Sequence, residues 1–526
     1  MDSGRLRAIT IERFKSIYEK TRVEFGQLTV FLGRNNSGKS TISQALLLLK
    51  QTLELARVET VLNIDGYVSA INLRELISGW PDTPGDIDGP FFSIEWSSQV
   101  DVDKALEISG RPDLATLMDK ASLPWLADSI GKSIELFCKL DLQYCELNGK
   151  IALNKLSLTS SSNPDFDDLK SVCARVEIDR DEDGRYQCHW DGVAYKKIEV
   201  DMHHFIPSIS IDRRNIGPRN RQRSLANAFN VLFSQPLDSL ESMLKGFSYL
   251  SSTRGLPLSI YSPNSSGGED IGMSGEFAAQ LLYTHKEEPV HYLIPNFDDV
   301  NVSFALKEQS LAVAINEVLV GLGIDTPLSI HEIEKVGFRL MFGKATFSHV
   351  GRGLTYLLPI VQLGLFSDPM RFKHGVDILA SAQNRLCAFE EPESHLHPKV
   401  QGRLATWFVS LARANRQVIV ETHSDHMVRR LRKLLAQAKP GSDIEKWLST
   451  NIRIVSVNQV EGKTSIESGF IKKDGSVEVW PTDFMDAAVN AEQEIYYAAL
   501  DKEEETSLVT DLRVEHMDKD EPDAIN

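Results

Sequence analysis

Several stretches of this chain are short, unbroken apolar runs bounded by polar or glycine-rich segments. Residues 28–32 form one such run, and residues 386–389 and 417–420 form two more. Continuous runs of this length are typical of strands buried on both faces of a parallel sheet. Leu-rich residues 42–49 follow the first run and predict a helix that extends to about Ala56. The pattern predicts an α/β fold.

The remaining segments predict a mixture of strands, helices and loops. Apolar and polar positions alternate across residues 6–25, which predicts one or two strands pairing into the same sheet as residues 28–32. Residues 224–246, 274–283 and 311–322 have the apolar spacing of helices. Residues 157–168 are rich in Ser, Asn and Asp and predict a surface loop.

Composition narrows the class of protein. The 526 residues are 42% hydrophobic, and no run reaches the 18 apolar residues of a membrane span. The N-terminus has no signal-peptide core, so we expect a cytoplasmic protein without a membrane partner. The five cysteines include no Cys-x-x-Cys pair and suggest neither a disulfide framework nor a zinc site. The net charge of −17 argues against an overall basic surface for nucleic acid.

A phosphate-binding loop follows the apolar run at residues 28–32. Its pattern is Gly, four residues, then Gly-Lys-Ser, which is the P-loop spacing. Glycines let the backbone curl so that its N–H groups and the next helix N-terminus face a polyphosphate. The residues expected to contact the nucleotide are Gly33, Asn35, Asn36, Ser37, Gly38, Lys39, Ser40 and Thr41. The alternative is a glycine-rich loop that only turns the chain.

Polar groups also follow the two later strands. Glu390 and Glu391 end the run at 386–389, and His423 follows the run at 417–420. Because carboxyl ends of parallel strands meet at one sheet edge, all three are expected beside the P-loop. We assign Ser40 and Glu390 to Mg²⁺, Glu391 to the attacking water and His423 to the γ-phosphate. The alternatives are a charged helix start and a structural histidine.

A second glycine-rich segment precedes the apolar helix predicted after residue 356. It contains Ser348, Gly351, Gly353 and Thr355 and predicts another helix N-terminus that favours anions. One chain needs only one P-loop, so this segment makes sense if it completes the site of another subunit.

An arginine-rich stretch has two possible interpretations. Its members are Arg213, Arg214, Arg219, Arg221 and Arg223. Such a cluster can contact nucleic-acid phosphates, or it can be a solvated connection. Aromatic residues are not interleaved with the arginines, which favours the second interpretation.

The order of these motifs resembles the ABC-type ATPases of the SMC, RecF and OLD-like group. Matching segments include residues 11–16, the P-loop, 350–353, 390–398 and 421–424. The resemblance implies an ABC-type ATPase head with a mixed sheet core, discontinuous in sequence, and an inserted α+β lobe. The implied divisions are 1–90 and 335–490 for the head, 91–334 for the lobe, and 491–526 for an acidic tail.

The resemblance also implies partners and roles. ATP would lie between one subunit's P-loop and the other's signature segment in a head-to-head dimer or higher oligomer, with Glu391 as catalytic carboxylate and His423 as switch histidine. Tyr356 departs from the usual signature. Gln51 is the nearest candidate for the Mg²⁺-sensing glutamine. Too few residues follow residue 424 for the nuclease domain of OLD relatives, so we expect a separate nuclease or effector subunit, as in Septu-type or retron-linked phage defence.

Two other functions stay open at this stage. One is a DNA-binding repair or recombination ATPase in which residues 213–223 contact phosphates. The other is a metal-dependent nuclease built from Glu393, His395 and His397, although these residues also fit a loop and helix start.

Overall fold

The structure is a computed structural model that describes most of the chain. The described residues are 4–54, 60–77, 87–102, 132–147, 149–191, 198–211, 228–263, 270–297, 302–369, 385–480, 494–500 and 502. The arginine-rich stretch at 213–223 and most of the acidic tail lie outside them. The chain divides into two units, Met1–Val479 and Trp480–Asn526. In the second unit, residues 494–500 are helical.

The first unit contains both strands and helices. Its first half contains β1 (Arg5–Glu12), β2 (Thr21–Glu24), β3 (Leu28–Leu32), α1 (Lys39–Glu54), β4 (Ile87–Asp101), β5 (Ser133–Leu147), β6 (Lys150–Ser161), β7 (Val172–Arg180), β8 (Tyr186–Trp190), β9 (Ile198–Asp201), β10 (Ser208–Ile211), a π-helix (Asn230–Ser234), α2 (Gln235–Lys245) and β11 (Ser248–Leu250). Its second half contains α3 (Ala278–His285), β12 (Pro289–Pro295), β13 (Phe304–Ser310), α4 (Leu311–Leu322), β14 (Leu328–Ile333), β15 (Gly337–Phe342), β16 (Ala345–Thr346), α5 (Arg352–Phe366), β17 (Arg385–Glu390), α6 (Pro398–Arg413), β18 (Arg416–Thr422), α7 (Asp425–Gln437), α8 (Asp443–Asn451), β19 (Ile452–Val460) and β20 (Lys463–Gly469).

The P-loop strand lies inside a sheet assembled from distant parts of the chain. Among the described residues its order is β11-β17-β18-β3-β19-β20. The first five strands are parallel, and β20 is antiparallel to β19. Every residue of β3 is buried, as its unbroken apolar run predicts. The expected α/β class and a sheet core discontinuous in sequence are confirmed.

The expectation for residues 6–25 was wrong in one respect. These residues form β1 and β2 as predicted, but the two strands belong to a second sheet, ordered β2-β1-β4-β5-β6-β7-β8 over the described residues. There β1 pairs antiparallel with β2 and β4. Alternation predicts a strand but carries no information about its partner, and here the long strand β4 supplied it.

Helix α1 packs between the two sheets. Its buried residues lie on all sides, from Ile42 to Leu53. One hydrophobic cluster joins α1 to β1 and β4 of one sheet and to β3, β17 and β19 of the other. A helix that is apolar all round is stable only when it is surrounded by protein. This packing fixes the N-terminus of α1, and therefore the P-loop, against the carboxyl edge of the parallel sheet.

Other predictions had mixed outcomes. The helix at 311–322 is confirmed as α4, and the described parts of 224–246 and 274–283 are largely helical. The surface loop predicted at 157–168 was wrong for residues 157–161, which complete β6, because they pair with β5 on one side and β7 on the other and their small polar side chains can be buried there. Within the described residues, no helix is both long and apolar enough to cross a membrane. The domain boundaries stay predictions.

Candidate active site

The loop between β3 and α1 contains two positions that only glycine can occupy. Gly38 has a φ of +95°, and a Cβ there would lie 2.3 Å from Thr464 Oγ1. At Gly33 a Cβ would lie 2.2 Å from the Val457 carbonyl oxygen. Both positions therefore need glycine, one for backbone conformation and space and one for close approach to β19. The sequence prediction of the loop's two glycines is explained by these contacts.

The β19–β20 hairpin holds the P-loop from outside. The Thr464 hydroxyl donates to the Ser37 carbonyl at 2.9 Å, and the Thr464 N–H donates to the Ser16 carbonyl at 3.0 Å. Ser16 in turn lies 3.2 Å from the Thr41 hydroxyl. The hairpin and the segment after β1 thus fix both ends of the loop.

A cavity of about 450 Å³ opens above the P-loop. It is lined by Lys15, Ser16, Asn35, Asn36, Ser37, Gly38, Lys39, Ser40, Thr41, Gln44, Glu390, Glu391, Glu421, His423 and Gln459. The structure therefore brings together the predicted P-loop residues and the acids and histidine that follow β17 and β18. Gly33 lies behind the cavity, where its carbonyl accepts a hydrogen bond from Lys39 Nζ at 3.0 Å.

Two carboxylates converge on the first turn of α1. Glu390 and Glu421 are register partners on β17 and β18. The Ser40 hydroxyl lies 2.8 Å from Glu390 Oε1 and 2.9 Å from Glu421 Oε2. A hydroxyl has one hydrogen and can donate to only one of them at a time. The two acids therefore face each other across Ser40.

Glu421 is the most deeply placed acid of the site. It is 1% exposed and also accepts a hydrogen bond from the Ser43 hydroxyl. Burial, and then the charge of Glu390, raises the pKa of Glu421 to about 7. Sequence reasoning missed this residue as a site member. The available signal was a carboxylate at the end of an otherwise apolar strand beside β3.

This donor set fits a magnesium ion. Mg²⁺ prefers hard oxygen ligands, usually one or two carboxylates together with substrate phosphates. Ser40 and Glu390 supply a hydroxyl and a carboxylate beside the P-loop. Because the single Ser40 hydrogen lies near two carboxylate oxygens, one of these oxygens receives no hydrogen bond from Ser40. The predicted roles of Ser40 and Glu390 stay predictions that this geometry supports.

Glu391 and His423 line the same cavity as Glu390. Their side chains approach to 3.7 Å between Glu391 Oε1 and His423 Nε2. Burial, followed by the charge of Lys39, lowers the pKa of His423 from its ordinary value. The imidazole is therefore neutral at pH 7 and can donate one hydrogen bond while accepting another. A neutral His423 beside the Glu391 carboxylate is compatible with the two contacts predicted from the sequence, that of Glu391 with the attacking water and that of His423 with the γ-phosphate.

Lys39 lies within the curl of the P-loop. Its ammonium group donates to the carbonyl oxygens of Gly33 and Arg34 at 3.0 and 2.7 Å. Burial lowers the pKa of Lys39, and the carboxylates of the site, Glu421 first, act in the opposite direction. A cation held at this place is suited to polyphosphate oxygens.

The predicted signature residues lie outside this cavity. Gly351 caps the N-terminus of α5, and Thr355 donates to the Arg352 carbonyl at 2.9 Å. The Ser348 hydroxyl lies 3.2 Å from that of Ser259. Gly353 packs against the His395 carbonyl, where a Cβ would lie 2.8 Å away. None of these four residues lines the P-loop cavity of its own chain.

Three residues near β11 also belong to the site and were missed. The Tyr249 hydroxyl and the Ser252 N–H donate to Glu390 Oε2 at 2.7 and 3.0 Å. Arg254 Nη2 donates to the Glu390 carbonyl at 3.0 Å. No sequence signal was available, because β11 has only three residues and lies about 140 positions before its partner β17.

Gln51 does not face the nucleotide cavity. It is 2% exposed, donates to the Asn63 and Val68 carbonyls, and accepts from the Val68 N–H at 2.8 Å. It lies twelve residues after Lys39, or about 18 Å along α1 at 1.5 Å per residue. The Gln51 side chain holds the following loop, and its contacts give no support to a Mg²⁺-sensing role.

The three residues of the nuclease alternative have separate contacts. Glu393 accepts from the His423 N–H at 2.7 Å, and His397 Nδ1 accepts from the Lys399 N–H at the start of α6. The His395 ring packs edge-on against Tyr356. Among the described residues, no cluster of His, Cys, Asp and Glu has the arrangement of a metal site.

Comparison with protein families identifies part of the chain. A model described as an AAA ATPase domain matches residues 5–104 and 378–428. The two matched segments together make up less than half of the chain. The matched segments hold the P-loop, Glu390, Glu391, Glu421 and His423, so the match is discontinuous in sequence and includes most of the residues that line the cavity. Residues 348–355 lie between the two matched segments.

Solved structures with similar folds include several SMC heads. An SMC head bound to the C-winged helix domain of ScpA has 13% identity and a TM-score of 0.39, covering 89% of this chain and 98% of that one. The SMC head of Thermotoga maritima has 11% identity and a TM-score of 0.31, and the match covers 88% of this chain and 98% of that one. A Pyrococcus furiosus SMC head bound to the C-terminal domain of ScpA has 11% identity and a TM-score of 0.34, and the match covers 94% of this chain and 100% of that one. No curated protein matches the sequence.

Proposed function

We propose that this protein is a Mg²⁺-dependent ATPase whose ATP-bound head-to-head dimer regulates a separate effector. The observation that carries the ATPase part is the convergence of Glu390, Ser40 and Glu421 beneath a cavity that Lys39 and His423 also line. Phosphoryl transfer to water uses a phosphate cradle, a metal-holding carboxylate and a group that orients or deprotonates the attacking water.

Each residue has a definite task in this proposal. Backbone N–H groups of residues 35–39 and the Lys39 ammonium bind and orient the phosphates. Ser40 and Glu390 would hold Mg²⁺, which supplies positive charge to the phosphate oxygens when bound. Glu391 takes a proton from the attacking water, and His423 donates a hydrogen bond to the γ-phosphate.

The dimer is supported by where the signature residues lie. Gly351 is exposed at the N-terminus of a 15-residue helix and has open space around it. Because Ser348, Gly353 and Thr355 are also outside their own chain's cavity, we assign all four to the nucleotide of a second copy. ATP that bridges two copies shifts the population toward the closed dimer, and hydrolysis releases it.

The effector rests on the motif order rather than on a contact. The resemblance to ATPase subunits of two-gene phage-defence systems of the Septu and retron-linked kind supports a separate nuclease as the regulated partner. This support is an analogy with the motif order of other proteins. The cytoplasmic location and the absence of an intrinsic nuclease domain stay predictions of the same proposal.

The test is ATP turnover by the purified protein, with Mg²⁺ and with EDTA. The proposal expects ADP formation that requires Mg²⁺ and is lost in Lys39→Ala, which also loses ATP affinity. Lys472→Ala changes an exposed lysine of the same unit and serves as the matched control. Turnover that persists unchanged in Lys39→Ala would remove the P-loop from the proposed chemistry.

A further inference from the structure

The backbone at Glu391 is held in an unusual conformation. Glu391 has a φ of +43°, in the left-handed region that non-glycine residues seldom adopt. Such a conformation is strained for a residue with a side chain and persists only when neighbouring groups enforce it. The bend turns the chain immediately after β17, at the residue assigned to the attacking water.

Two hydrogen bonds fix the peptide unit before Glu391. Its N–H donates to the Glu421 carbonyl at 2.8 Å. Its carbonyl, that of Glu390, accepts from Arg254 Nη2 at 3.0 Å. The Glu391 N–H and the Glu390 carbonyl belong to one peptide unit, and both are hydrogen-bonded. These two bonds fix the orientation of the peptide and therefore the direction in which the Glu391 side chain leaves the backbone.

Burying the Arg254 guanidinium has a high free-energy cost for a group that donates to a single carbonyl. Its side chain is 5% exposed, and its Nε and Nη1 atoms are buried without hydrogen-bond partners. A neutral donor would satisfy the Glu390 carbonyl without the cost of burying a guanidinium ion. Burial lowers the pKa of Arg254 to about 10, so the group still carries its charge at neutral pH, and Glu390 and Glu391 are among the charges that favour the cation.

The loop that carries Arg254 is itself fixed to the site. It follows β11, which pairs with β17 through Leu250 and Phe389. The Ser252 N–H donates to Glu390 Oε2, and the Gly255 N–H donates to the Ser274 carbonyl at 2.8 Å. Arg254 is therefore attached to the end of β17 by a strand pairing and by two bonds to Glu390.

We propose that Arg254 is a positioning residue for Glu391, which holds the Glu390–Glu391 peptide in its bent form and supplies a buried positive charge to the adjacent carboxylates. This inference rests on the proposed ATPase function and deepens it. The hydrogen bond from Arg254 to the Glu390 carbonyl sets the angle at which Glu391 meets the water.

The experiment compares Arg254→Ala, Arg254→Gln and wild type in single-turnover hydrolysis and in equilibrium binding of a fluorescent ATP analogue. Arg254→Ala is expected to lose on the order of 10²-fold in hydrolysis rate, the scale of a misplaced catalytic group. Affinity for the analogue is expected to stay within about twofold, because Arg254 does not line the cavity. Arg254→Gln keeps a planar donor without the charge and is expected to be similarly slow.

Chemical rescue separates positioning from general stability. Guanidinium at low, non-denaturing concentration is expected to raise the rate of Arg254→Ala but not that of Glu391→Gln. The matched control is Arg430→Ala, which loses an arginine that also bonds a backbone carbonyl, that of Phe297, and the Thr406 hydroxyl, away from the cavity. Its hydrolysis rate is expected to be unchanged below its melting temperature.

The outcomes distinguish the two proposals. If wild type hydrolyses ATP and both Arg254 variants match its rate, the positioning role is wrong and the ATPase function stands. The same holds if the Arg254 variants lose rate and ATP affinity together and guanidinium restores neither. If wild type does not hydrolyse ATP, the function and this inference fall together.

Discussion

The carboxylates of Glu390 and Glu421 lie on either side of the Ser40 hydroxyl, at 2.8 and 2.9 Å. They end adjacent parallel strands at the same register position. A single hydroxyl hydrogen cannot serve both acids when they are ionised. The two acids compete for this hydrogen, and the raised pKa of buried Glu421 has a measurable consequence for stability.

Without divalent cations, the stability of the protein should depend on pH through Glu421. Burial and Glu390 raise the pKa of Glu421 from 4.5 to about 7. The folded state therefore binds the proton more tightly than the unfolded chain, and stability falls as pH rises from about 4.5 to about 7. At about 1.4 kcal/mol per pKa unit, the full penalty is about 3 kcal/mol. Glu421→Gln, which lacks the charge, should escape it.

Urea unfolding in EDTA checks this prediction at pH 5 and pH 8. The free energy of unfolding of Glu421→Gln relative to wild type should be higher at pH 8 than at pH 5. Glu467→Gln, on the exposed face of β20, is the control and should show no such difference. A Glu421→Gln effect that is equal at both pH values contradicts the assignment of the raised pKa.

Gln51 should matter for stability and not for magnesium. Gln51→Leu removes the acceptor of the Val68 N–H and the donor of the Asn63 and Val68 carbonyls, all at the end of α1 far from Ser40. Unpaired buried backbone groups cost about 1–3 kcal/mol each. We expect a loss of about 2–4 kcal/mol in the free energy of unfolding, with an unchanged Mg²⁺ concentration for half-maximal ATP turnover. A shifted Mg²⁺ requirement would restore Gln51 as a metal sensor.

The parts of the site that the sequence predicted share one property. The P-loop, Glu390, Glu391 and His423 each come shortly after an apolar run, so local pattern and the geometry of parallel strands place them at one edge. Glu421 follows the run at 417–420 directly, so the same signal was available for it. Tyr249 and Arg254 depend on β11, whose three residues give no periodic signal. Strand partners such as β1 and β4 are likewise set by tertiary pairing.

Gly351 offers a test of the second copy. A side chain at this position meets nothing within 4 Å in its own chain, and its φ of −60° suits any residue. Gly351→Asp adds a favourable N-cap for α5, so its melting temperature should not fall. In the proposed dimer the new carboxylate faces a partner's γ-phosphate, so ATP turnover should drop at least tenfold while ATP binding by the isolated chain is retained.

Mixing two inactive variants makes the same test sharper. A Gly351→Asp chain keeps its P-loop, and a Lys39→Ala chain keeps its signature segment, so a mixed dimer has one intact composite site. Turnover should reappear in the mixture and should rise with total protein concentration. Gly351→Ser, an uncharged N-cap, is the control. Full activity of Gly351→Asp alone would show that this segment does not face a nucleotide.

The central claim is that Glu391 activates water for ATP hydrolysis in the P-loop cavity, and single-turnover hydrolysis by Glu391→Gln tests it most directly. Loss of a general base typically costs 10²–10⁴-fold in rate. The account predicts a decrease of about that size with ATP affinity unchanged, while Glu467→Gln behaves as wild type. A Glu391→Gln protein that hydrolyses ATP at the wild-type rate would contradict the account.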